Sequence, residues 1–361
     1  MLAKDFNYDR YHAVYDPKQE NLRKFIRGEW KGPLFMQDAC GNVYAELANH
    51  KETSLEAQLD LLTEKMELHS DYLISYLEPW CGVGVYANAF GAKLRYYNHS
   101  AVQTLPVYMS VDEVENVPLP KLGECELMQA VIDYIKYFRE QTHDQIPIVL
   151  TDTQSPNDTA SLILDPVELF MAAVDDMESI DDFMMKVTQT IGDFTEMQME
   201  LIGEKNLARP GHTFPSDITL PGISLSDDNL AVLSPKCWVD SARKYNDILA
   251  RRFGGIALHS CGVFTNSIPD LVRSEDMWMV NYKISDFEPN DAAALADAFA
   301  GTGTIQYVTI FPGEDLGRLL PLIRDDLRVI FVIGTNGDAA QRNDQYDRIV
   351  DFFRNASPAA V

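Results

Sequence analysis

Gly255-Ile-Ala-Leu-His-Ser-Cys-Gly262 is an apolar run of strand length that stops in a histidine, a cysteine and a glycine. Alternate strand positions aim the same way, so His259 and Cys261 leave one face of the chain together. An imidazole and a thiol so placed form two-thirds of an open zinc site, although a buried thiol beside a hydrogen-bonded histidine would read the same in isolation.

Working outward, runs of the same kind recur at Pro33–Gln37, Tyr72–Leu77, Ile146–Thr151, Gly222–Ser226, Met277–Tyr282, Thr304–Ile310 and Val329–Ile333. With Gly255–His259 they make eight strands. Stretches of helical spacing separate most of them: Leu55–Leu68, Cys125–Phe138, Ile180–Leu201, Pro235–Arg252 and Leu316–Arg324. Such alternation predicts an α/β fold of the (β/α)8 TIM barrel type. A helical extension of about residues 1–30 precedes it, and the 361 residues form a single domain. The long segments Trp80–Leu122 and Asp152–Leu220 read as insertions on the C-terminal face of the strands. An open doubly wound sheet is the alternative, but no Gly-rich phosphate fingerprint follows any strand, and Cys81-Gly-Val-Gly84 is too short to be one.

Composition narrows the partners. With 55 acidic against 30 basic residues the formal charge is −25, which disfavours nucleic acid and anionic membrane. A hydrophobic share of 46% supports a sizeable core, and five cysteines are too sparse for a disulfide framework, so a soluble, cytoplasmic protein is expected. The chain shows no secretory signal and no apolar run of membrane-spanning length.

A barrel builds its site just past the strand ends. Those positions hold Gln37 and Asp38, Glu78 and Trp80, Asp152 and Gln154, Asp227 and Asp228, His259 and Cys261, Lys283, and Asp338. Asp227 or Asp228 could simply cap the helix that follows. Trp80 and Tyr86 could pack in the core or cover a flat ligand at the mouth. Glu78, between Leu77 and Pro79, is poorly placed to cap and suits an acid, base or orienting group.

Four stretches resemble the uroporphyrinogen decarboxylase superfamily, and within it the cobalamin-dependent methyltransferase branch. They are Tyr76-Leu-Glu-Pro-Trp-Cys-Gly-Val-Gly-Val-Tyr-Ala-Asn-Ala-Phe-Gly91, Asp152-Thr-Gln-Ser-Pro156 with Asp165-Pro-Val-Glu-Leu-Phe170, Ser224-Leu-Ser-Asp-Asp228 with Leu233-Ser-Pro235, and His259-Ser-Cys-Gly262. The resemblance implies a TIM barrel. It also implies a zinc held by the H-x-C pair and a later cysteine, activating a small thiol that takes a methyl group from a methyl-corrinoid. No cysteine follows Cys261. Asp338 is the expected oxygen ligand in its place; Asn336, Glu78 and Cys237 are alternatives, as is loss of the zinc.

On this reading Glu78 and Asp227 are catalytic. Gln37, Asp38, Trp80, Tyr86, Asp152, Gln154, Asp228 and Lys283 contact substrate, and His259, Cys261 and Asp338 hold zinc. A D-x-H-x-x-G corrinoid signature is absent, since neither His143-Asp-Gln nor His212-Thr-Phe fits, so the corrinoid would arrive on a separate protein. A homodimer is compatible with the sequence. The decarboxylases carry an arginine-rich segment after the first strand for the carboxylates of their tetrapyrrole, whereas this chain reads Met36-Gln-Asp-Ala-Cys-Gly41. A carboxy-lyase of that type and a non-catalytic binding barrel remain as alternatives.

Overall fold

A computed structural model describes residues 1–39, 50–95, 103–274 and 276–356. Cys40 and Gly41 of the segment after the first strand lie outside these residues. In the chain order β1 (Leu34–Ala39), β2 (Lys93–Arg95), β3 (Gln103–Leu105), β4 (Ile223–Ser226), β5 (Ile256–His259), β6 (Met277–Lys283), β7 (Ile305–Ile310) and β8 (Arg328–Thr335), β2 and β3 pair antiparallel with each other. The other six form one parallel sheet in the order β1-β8-β7-β6-β5-β4.

The gap between β4 and β1 is spanned by two staves without a regular ladder. Parallel bridges join Met36 to Tyr72, Leu77 to Ile148, and Gln154 to Ser226. The ring thus runs from β1 through the stave at Tyr72–Leu77 and the stave at Ile146–Thr151 to β4, in the manner of a TIM barrel. The expected second and third strands are therefore irregular. Pro147 cannot donate to a ladder, and among the described residues the backbone hydrogen bonds that tie the two staves are Leu77 N–H to the Pro147 carbonyl (2.9 Å) and Val149 N–H to the Leu77 carbonyl (3.0 Å).

Period-2 alternation sorts the strand residues. Leu34, Met36, Ala257, Met279, Ile305, Tyr307, Ile330 and Val332 pack with Tyr72 and Phe214 inside the barrel, while Phe35, Ile256, Leu258 and Phe331 pack into the surrounding helical layer. The deciding stretch begins at Gly255 because nothing larger fits there. At φ +127° an added Cβ would lie 2.6 Å from the Trp278 ring and 3.0 Å from the Asp276 carbonyl.

Helices follow where apolar residues recur at helical spacing. The extension is the helix Tyr8–Ile26, started by Asn7, whose side chain accepts the Arg10 N–H at 3.0 Å. Its Leu22 and Phe25 pack into the inner cluster, so it closes the N-terminal end of the barrel. The predicted helix over 235–252 is one run from Pro235 to Phe253, interrupted by a π-turn at Val239–Arg243. The expected helix at Leu316–Arg324 is a 3₁₀ helix, Leu316–Leu322. Among the described residues no helix is long and apolar enough to cross a membrane.

Candidate active site

Register places Ser226, His259, Asn281 and Tyr307 side by side across β4 to β7. Asn281 Nδ2 donates to the Tyr307 carbonyl at 2.7 Å, which fixes the amide with its oxygen toward His259. That oxygen lies 2.5 Å from His259 Nδ1 and accepts the ring proton there, leaving Nε2 with its lone pair. Nε2 faces Cys261 Sγ at 3.1 Å and Asp228 Oδ1 at 3.9 Å. The three ligand atoms all lie within 4.8 Å of one another.

These distances straddle the roughly 3.4–3.6 Å that separates ligand atoms in a tetrahedral zinc site. The donor set, one imidazole, one thiol and one carboxylate, is of the kind an open zinc site uses. Burial lowers the His259 imidazole below its ordinary 6.5 and so favours the neutral, ligating form. Burial, with Asp228 beside it, pushes the Cys261 thiol up to about 11. A metal must therefore displace that proton.

Asp338 does not belong to this group. Its Oδ1 accepts the Gln341 N–H at 2.9 Å while its own N–H donates to Gln341 Oε1 at 3.0 Å, a reciprocal cap on the helix Ala339–Ala356. Asp228, expected to contact substrate, supplies the third donor instead. Asp227 neither caps the following 3₁₀ helix nor faces the mouth. Its Oδ2 accepts from Trp238 Nε1 (3.0 Å) and Asn246 Nδ2 (2.8 Å), and burial raises its carboxyl to about 6. The capping falls to Asp158, which accepts the N–H groups of Asp228 (2.6 Å) and Asn229 (3.0 Å) from another helix.

Across the barrel Glu78 ends the first stave. Gln58 clamps its backbone, Oε1 accepting the Glu78 N–H at 2.7 Å and Nε2 donating to its carbonyl at 3.0 Å. Glu78 Oε1 lies 2.7 Å from Nδ1 of His212, whose Nε2 is 3.7 Å from Asp152 Oδ2. Burial alone would lower His212, but Asp152 and Glu78 outweigh it and raise the imidazole to about 9. A partly buried imidazolium thus sits between two buried carboxylates. Trp80 Nε1 and Gln154 Nε2 donate to the two oxygens of Asp152 at 3.2 and 3.1 Å.

Trp80 and Tyr86 do not cover the mouth, as both are buried. Tyr86 packs edge-on against Phe194 and bonds to Thr153 at 3.2 Å. Gln37 is likewise buried on the helix side of β1, donating to the Arg342 carbonyl at 3.2 Å. His212 escaped the sequence reading because it lies in an irregular connection with no period to betray its direction.

A cavity of about 270 Å³ joins the two halves, with His259, Asn281, Lys283, Glu78, Asp38 and Lys65 among its walls. Lys65, buried at the end of the helix Lys51–Lys65, pairs with Asp38 at 3.0 Å. Lys283 pairs with Glu288 at 3.0 Å. Glu288 also accepts the Gly262 N–H at 2.9 Å, tying β6 to the turn after Cys261.

Residues 78–203 match the family described as uroporphyrinogen decarboxylase (URO-D). The likeness to that family is confined to this stretch. The match begins at Glu78 and includes Asp152 and Asp158 but stops short of His212, Asp228, His259 and Cys261. Among solved structures, a methyltransferase from Methanosarcina mazei resembles this chain with a TM-score of 0.65 over 94% of this chain and 99% of that one, at 14% identity. At that identity the likeness is one of fold, and it spans nearly the whole chain. No curated protein matches the sequence.

Proposed function

We propose that this protein is a methyltransferase-like enzyme that binds zinc through His259, Cys261 and Asp228 and presents a small thiol, or similar acceptor, to a methyl group carried by a corrinoid on a separate protein. The observation that carries the reading is the convergence of three donor atoms at the end of β5, with Asn281 holding His259 in the tautomer a metal needs. Zinc, when bound, would stabilise the acceptor as a thiolate near neutral pH. The chain's own groups do the rest. Asn281 orients the imidazole, Asp228 braces the Cys261 turn, and the cavity admits a molecule of few heavy atoms beside them. The URO-D match and the barrel shared with a methyltransferase support the assignment.

The URO-D match also raises tetrapyrrole decarboxylation. Charge speaks against it, because Lys65 and Lys283 are each already paired with a carboxylate and leave little for a polyanionic substrate.

The test uses the full chain loaded with zinc, free methylcobalamin as donor and 2-mercaptoethanol as acceptor, followed by the visible spectrum of the corrinoid. Thiol-dependent demethylation that is lost in Cys261→Ser is the expected result. A rate equal to the protein-free solution, together with no zinc by elemental analysis, would overturn the proposal.

A further inference from the structure

A thiol that enters as R–SH must give up a proton on becoming a metal ligand. The donor atoms of His259, Cys261 and Asp228 are committed to the metal on the reading above and cannot hold it. Of the other ionisable groups on the cavity wall, Lys65 and Lys283 are cations, and Asp38 is engaged by Lys65. Glu78 differs from all of these. One of its oxygens is taken by His212, and the other makes no hydrogen bond among the described residues.

We infer that Glu78 is the base that takes the proton of the acceptor thiol, with His212 as its positioning residue; the inference rests on the thiol-activating function proposed above. The S–H bond breaks with its electron pair left on sulfur, an O–H bond forms at Glu78 Oε2, and the proton passes to solvent after the methylated product leaves. Glu78, His212 and Asp152 together carry one net negative charge, so the arriving proton neutralises a buried cluster. Burial already raises the Glu78 carboxyl above its ordinary range, with His212 opposing and Asp152 reinforcing the rise. The buried Cys81 thiol, the His259 imidazole and the Tyr76 and Tyr307 phenols are further titratable groups nearby.

Calorimetric titration of the zinc-loaded full chain with 2-mercaptoethanol, in two buffers of equal pH but different ionisation enthalpy, counts the protons released to bulk. The wild type should release almost none per thiol bound, and Glu78→Gln about one. His212→Gln should also release more than the wild type, because without the opposing imidazolium the Glu78 carboxyl is held further above its ordinary range and is less often ionised when the thiol arrives. His212→Gln keeps the test decisive should Glu78→Gln fail to fold. Release of a full proton by the wild type, or of none by Glu78→Gln, overturns the assignment while leaving thiol activation standing. Absence of any thiol binding by zinc-loaded wild type removes the proposed function and this inference together.

Discussion

Asp228 Oδ1 accepts the backbone N–H of Cys261 at 2.7 Å, so the carboxylate after β4 fixes the turn that carries the thiol after β5. The same oxygen is 3.9 Å from His259 Nε2. A single side chain therefore shapes the donor group as well as contributing to it.

Replacing Asp228 with Ala should strip most of the zinc from purified protein, as should Cys261→Ser. Asp338→Ala should retain it while costing about 1 kcal/mol through loss of the helix cap. Elemental analysis and urea unfolding separate the two effects. Retention of zinc in Asp228→Ala with loss in Asp338→Ala would reverse the assignment.

Asn281 is not one of the three donors but holds His259 Nδ1 at 2.5 Å. Asn281→Ala should weaken zinc affinity about 10- to 100-fold, measured by competition with a chromophoric chelator. An unchanged affinity would mean that the imidazole is oriented by something else.

His212 gives stability a pH dependence of definite sign. Its folded value of about 9 lies above the ordinary 6.5, so the contribution is fully present below about pH 6.5 and is lost as pH rises through 9. The difference amounts to about 3 kcal/mol at most. Urea unfolding of wild type should show this fall between about pH 6.5 and 9, and His212→Gln should be flatter across the same window.

Incubation with uroporphyrinogen, with products separated by chromatography, should give no coproporphyrinogen. Paired lysines and a cavity of about 270 Å³ are poorly suited to a large polyanion. Efficient turnover would show that the charges rearrange on binding.

Much of the barrel was legible because strand period and helix period differ, and the six laddered strands begin within one residue of their expected starts. The two staves were less so, since a proline's missing donor weakens a ladder without changing the apolar pattern that announces one. His259 and Cys261 were readable from alternation alone. Asp338 misled because a Gly-Asp pair ahead of a helix suits a cap as well as a ligand, and Gln341, three residues on, was the signal for the cap. Trp80 and Tyr86 misled because sequence does not say which way an insertion folds. The position facing His259 on β6 could have been found by counting register, whereas His212 could not.

The uneven ring has a mechanical consequence. His259, Cys261 and Asp228 stand at the ends of β4 and β5 in the laddered sheet, whereas Glu78 and Asp152 end staves joined by a few bridges. Amides of residues 72–77 and 146–151 should exchange with deuterium faster than those of β6, β7 and β8, because fewer cooperative bonds must break to open them. The barrel is then a stiff arc hinged to a compliant one, and the distance between the His259–Cys261–Asp228 group and Glu78 can breathe without disturbing either.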